Sequence, residues 1–126
     1  MPINNAIVER LKTGSIKSVI LFADGIKIPP PPYVVVKPEA GTILGTRQCR
    51  IFVHTKQGRI DELDKYIFTE LPKLLVSNEK ELRVRLKDEE GRIYQLQSGD
   101  WFDVRLEGSD NTIYMERKFF YPFKIS

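Results

Sequence analysis

Apolar positions recur along this chain with two different periods, and the switches between them mark out its elements. Ile3, Ile7, Val8 and Leu11 fall at i, i+4, i+5 and i+8, one face of a short helix ending near Thr13 and Gly14. A helix this short needs packing to survive. Residues 18–23 form a nearly continuous apolar run, read as a buried strand, and Asp24-Gly25 turns it toward a second extended piece at residues 26–28. Pro29 to Pro32 cannot donate ladder hydrogen bonds and act as a stiff spacer. The strand over residues 33–37 is β-branched and aromatic, and Pro38 is expected to end it. Residues 39–48, with Gly41 and Gly45, read as a flexible connection or hairpin loop.

Strict alternation follows. Cys49, Ile51, Val53 and Thr55 take one face of a strand and Arg50, Phe52, His54 and Lys56 the other, with the first set facing the core. Gly58 breaks this strand, Asp61 is placed to cap a helix, and Glu62 and Asp64 suit its positive end. Leu63, Tyr66, Ile67, Leu71, Leu74 and Leu75 then keep helical spacing, with Pro72 expected to kink or divide the helix. The last third reads as a meander. Leu82, Val84 and Leu86 alternate with Arg83, Arg85 and Lys87; turns are expected at residues 88–91, 98–100 and 108–111, with strands over 92–97, around Phe102 to Leu106, and over 112–123. The sum is an α+β fold, a mainly antiparallel sheet with two helices packed on one face, in a single domain over residues 1–126. The other face is left to solvent or a partner.

Composition supports independent folding: 126 residues, 41% hydrophobic and 29% charged, is an ordinary globular balance. One cysteine, Cys49, excludes an internal disulfide framework and suits a reducing compartment. The start Met1-Pro2-Ile3-Asn4-Asn5 lacks a secretory pattern, and no stretch approaches the ~20 apolar residues that span a bilayer, so a soluble, cytoplasmic protein with no membrane partner is expected. Charge is uneven. Residues 1–58 hold eight Lys/Arg against three Asp/Glu, +5, and residues 59–126 hold twelve against fourteen, −2.

Candidate chemistry is thin. His54 is the one histidine, and no serine, cysteine or carboxylate is placed by sequence to form a nucleophile relay with it. The carboxylate pairs Glu62/Asp64, Glu89/Glu90 and Asp100/Asp103 read more simply as helix-end charge, a turn and a strand start than as metal ligands. Gly41 and Gly45 lack the Gly-Lys-Ser/Thr of a phosphate loop. The expectation is a protein without enzymatic activity, metal or cofactor. Arg83, Arg85 and Lys87 form a basic stripe, and Arg117-Lys118-Phe119-Phe120-Tyr121 sets aromatics beside charge, a combination also found in oligonucleotide-binding barrels. Phe119 and Phe120 must point to opposite faces of a strand, so one of them needs a cover other than the helices. Arg83, Arg85, Lys87, Phe119, Phe120 and Tyr121 are therefore the candidate subunit-interface residues.

The segment Pro32-Tyr33-Val34-Val35-Val36-Lys37-Pro38-Glu39, followed by Arg50-Ile51-Phe52-Val53-His54-Thr55 leading directly into the helix from Asp61, resembles small bacteriophage neck proteins, the tail-terminator and head-tail joining family. That resemblance covers most of the chain by layout. It implies a structural protein that forms a homo-oligomeric ring, hexameric in typical tail terminators. Such a ring caps the tail tube and meets the head connector, in the host cytoplasm during assembly and in the virion neck or tail afterwards. No specific nucleic acid is implied. The alternative reading of the residues is a small nucleic-acid-binding module built on an oligonucleotide-binding-like barrel.

Overall fold

The computed structural model describes the backbone of residues 2–23, 25–43, 46–107 and 112–122, and side chains at residues 3–23, 25–37, 48–97 and 113–120. Helix α1 (Pro2–Leu11) leads into β1 (Val19–Leu21), β2 (Tyr33–Ile43) and β3 (Thr46–Lys56). A broken helix follows, made of α2 (Ile60–Lys65), a wide π-type turn (Tyr66–Glu70) and α3 (Leu71–Leu75). The chain ends in β4 (Leu86–Lys87), β5 (Ile93–Tyr94), β6 (Gln97–Glu107) and β7 (Thr112–Pro122). The main sheet has the order β1-β2-β3-β7-β6, while β4 and β5 form a separate ribbon. β1 runs parallel to β2 and every other pair is antiparallel, so the fold is α+β as the sequence predicts.

One layer covers one face of this sheet. Ile3, Ile7, Val8 and Leu11 of α1 join Leu63, Ile67, Leu71 and Leu75 of the broken helix against Val34, Val36, Cys49, Ile51, Val53, Met115 and Phe119. The β4–β5 region adds Val84, Leu86, Tyr94 and Leu96 to the same cluster. Burial of these apolar side chains is the main force holding the layers together. Gly14 lets the end of α1 close on α3: a Cβ there would lie 2.6 Å from Glu70 Oε2 and 2.7 Å from Leu74 Cδ1. In that space Glu70 accepts hydrogen bonds from the Ser15 amide (2.6 Å) and the Ser15 hydroxyl (2.7 Å).

The second helix departs from expectation at its start. It begins at Ile60, with Arg59 in the capping position and no side-chain cap, so Asp61 sits in the first turn instead of capping it. There, with Glu62, it still faces the positive helix end. Pro72 does divide the helix, through the wide turn that precedes it. The Leu71 amide donates to Tyr66 O instead of Ile67 O, and Pro72 has no amide to donate. Ile67 O is thus left without a helical donor. Arg117 of β7 fills the gap, its Nη1 donating to Ile67 O at 2.7 Å.

Four strand expectations are corrected. β2 continues through Pro38 to Ile43 and pairs with β3 (Glu39↔Gln48, Ile43↔Thr46), so the stretch read as a loop is a hairpin arm. β1 pairs only with Val34–Val36, which leaves the rest of β2 an edge, where a proline costs no interior ladder bond. Residues 98–100 belong to β6 as an irregularity in its pairing with β7, not a reversal. Residues 26–28 form no strand; the tie at Gly25, with φ of +75°, returns the chain toward Pro29 to Pro32 and a parallel β2. Finally, Val84 and Leu86 are buried but Leu82 is 90% exposed, and only Leu86–Lys87 form a strand. The expected turn at 88–91 is present, with Asp88 Oδ1 accepting from the Glu90 and Arg92 amides. The turn expected at 108–111 lies outside the described residues.

Candidate functional site

The sheet face away from the helices carries a different population of side chains. Across β2, β3 and β7 they stand in rungs fixed by register. The first rung is Tyr33, His54 and Tyr114, the second Val35, Phe52 and Glu116, the third Lys37, Arg50 and Lys118. Rings stack along the first rung, Tyr33 on His54 at 4.5 Å and 12°, and His54 on Tyr114 at 4.9 Å and 26°. The histidine is therefore a layer in an aromatic stack, and its flanking groups are two phenol rings.

In the third rung three cations stand side by side, an arrangement that costs energy unless each is compensated. Arg50 reaches diagonally to Glu116, with Nε and Nη2 at 2.9 and 2.6 Å from Oε2, and its guanidinium lies 4.9 Å from the centre of the Phe52 ring. Glu116 is only 4% exposed even though no helix among the described residues covers this face. Lys37 places its ammonium 4.9 Å from the centre of the Phe22 ring.

At the β1–β2 edge of this face lies an open apolar cavity of about 260 Å³. It is lined by Ile20, Val35 and Phe52 of the sheet and by Phe22, Ile26 and Ile28 of the connection after β1, with Lys37 and His54 among its polar lining residues. Phe22 (46% exposed) and Ile28 (57%) keep much of their surface in water. Burial of this surface by a partner is worth roughly 25 cal/mol per Å². Ile26 and Ile28 are not legible in the sequence as members of a site, because their spacing matches an extended strand. The signal available was an apolar pair in a segment bounded by Gly25 and four prolines, too short to build its own core.

The sequence-derived interface candidates separate. Phe119 is fully buried among the helix-facing core residues, since odd positions of β7 point inward, and it has no surface to offer a partner. Phe120 stands on the uncovered face, opposite Gln48. Arg83, Arg85 and Lys87 are exposed near the β4–β5 ribbon, away from the rungs just described. The side chain of Tyr121 lies outside the described residues. Cys49 is fully buried, and desolvation pushes its thiol up from 9.0 to about 12. It is expected to resist a disulfide-exchange reagent at pH 8 in the folded protein and to react fully once denaturant is added; rapid labelling of the native protein would contradict this placement. Among the described residues no group of three or more His, Cys, Asp or Glu is arranged to hold a metal ion. Among them, too, no helix is long and apolar enough to cross a membrane.

Comparison with known proteins identifies the fold without a function. No family model matches the chain and no curated protein matches it. A solved structure whose name describes no activity aligns over 99% of this chain and 92% of its own, with a TM-score of 0.58 and 14% sequence identity.

Proposed function

We propose that this chain is a structural subunit of phage morphogenesis, a tail-terminator or head-tail joining protein that works by assembling into a ring at the end of the tail tube. The observation that carries this reading is the one-sided covering of the sheet. Helices and the β4–β5 ribbon bury one face, while the other presents an apolar cavity with half-exposed Phe22 and Ile28 at its wall. A subunit or tail partner is the natural cover for such a face. Its work is assembly in the host cytoplasm, followed by residence in the virion neck.

Native mass spectrometry of the purified protein is expected to give a single closed multiple of the 14.6 kDa chain. A strict monomer at high concentration would overturn self-assembly into a ring. The cation rung Lys37, Arg50 and Lys118 favours a second reading, a nucleic-acid-binding surface, in which affinity falls steeply with salt. The stacking of the first-rung rings on one another counts against base recognition, which needs ring faces free to receive bases. The described strand order, ending at β1 and β6, also lacks the closure of a barrel.

A further inference from the structure

We propose that the cavity at the β1–β2 edge binds a small organic monocarboxylate, with the apolar body in the cavity and the carboxylate on Lys37. The inference goes beyond the ring reading and does not depend on it, because the site is formed within one chain. Ile20, Val35 and Phe52 of the sheet and Phe22, Ile26 and Ile28 of the connection after β1 supply the apolar lining. Gly25, with φ of +75°, and the Ile26 amide, which donates to Ala23 O at 3.3 Å, make the turn that returns Ile26 and Ile28 to the sheet. Small-molecule sites have this make-up, a mostly apolar lining with a few polar groups that orient the ligand.

Lys37 supplies the orienting charge. It lines the cavity with its ammonium 4.9 Å from the centre of the Phe22 ring, and no carboxylate among the described residues pairs with it. No Asp or Glu is among the described lining residues either. Across the three rungs, Lys37, Arg50 and Lys118 stand against one carboxylate, Glu116, which Arg50 already engages. The excess of positive charge beside the cavity favours an anion. A hydrated inorganic anion is a poor fit, since the apolar lining offers nothing in exchange for its water. The anion therefore needs an apolar body.

Size narrows the class further. An apolar cavity of about 150 Å³ holds a benzene molecule. In the same proportion, about 260 Å³ takes roughly ten non-hydrogen atoms. Octanoate and hydrocinnamate combine that size with a single terminal charge. Phe22 and Ile28 keep much of their surface in water, and an apolar body seated between them and the sheet removes part of it, which favours binding.

The test is titration with octanoate below the assembly concentration, followed by calorimetry and by methyl chemical shifts. One saturable site per chain is expected, with shifts centred on Ile20, Ile26, Ile28 and Val35. Octanol has the body without the charge and acetate the charge without the body, and each is expected to bind at least about tenfold more weakly. Lys37→Met should weaken octanoate about tenfold and leave octanol unchanged, while Lys37→Arg, which keeps the charge, restores octanoate binding. Equal affinities for octanoate and octanol, or a Lys37→Met variant that binds octanoate as the wild type does, overturn the inference. So does an absence of saturation, or shifts centred on another part of the chain. Native mass keeps the two readings apart: an assembled protein without an octanoate site refutes this inference alone, and a strict monomer that binds octanoate refutes the ring alone.

Discussion

Phe119→Ala is expected to lower the unfolding free energy by about 3–5 kcal/mol, whereas Phe120→Ala, one residue on, should cost no more than about 1 kcal/mol. The difference comes from the pleat of β7. Phe119 is fully buried between the sheet and the helical layer, with the Arg117 guanidinium 5.6 Å from its ring centre, so its truncation leaves a cavity among packed neighbours. Phe120 faces the uncovered side and is half-buried in the single chain. Urea denaturation of both variants below the assembly concentration measures this directly. Equal losses, or the reverse order, would mean that β7 presents the opposite face to the helices.

Arg50→Met is expected to cost about 3 kcal/mol, and more than Glu116→Gln. Removing one partner of a buried ion pair strands the other charge, and here the two partners differ in their access to water. Glu116 would be left almost fully buried, while Arg50, its side chain 28% exposed, can turn toward solvent and keep its contact with Phe52. The figure sits at the low end for buried pairs because of that exposure. Glu116→Gln retains a hydrogen-bonding side chain, so roughly 1 kcal/mol is expected. The double variant Arg50→Met, Glu116→Met removes both charges and should recover most of the loss, giving a clear coupling energy in a double-mutant cycle. Additive losses would show that the pair is not the source of stability on this face.

Both predictions depend on features that alternation makes legible. Cys49, Ile51 and Val53 were assignable to the core because each apolar residue is followed by a polar or differently placed one, and the same parity puts Arg50, Phe52 and His54 on the bare face. The stacking of His54 between Tyr33 and Tyr114 was not legible, since it depends on the register of strands far apart in the chain, and one residue of slip would break it. The β2 arm beyond Pro38 is not legible in the sequence, because proline and glycine suggest a stop there while an edge strand tolerates them. Residues 82–87 illustrate the opposite failure. Their period of two suggests a strand, yet Leu82 falls outside the ribbon and into solvent, because periodicity reports a preferred face and says nothing of whether a neighbouring strand is present to pair with it. The candidate site was the least legible part, since a third of its lining, Phe22, Ile26 and Ile28, lies outside any helix or strand and has no periodicity to announce it.

The bond from Arg117 to Ile67 O joins two decisions the chain must make. The wide turn ahead of Pro72 exposes one carbonyl, and the guanidinium that reaches it hangs from the middle of an 11-residue strand paired to β3 without a break. Long, uninterrupted antiparallel pairs can settle one or two places out of line. A shift of one residue on β7 would swing Arg117 to the far side of the sheet, and a shift of two would carry it past its target. The broken helix thus acts as a gauge for the alignment of the strand, accepting β7 in a single position.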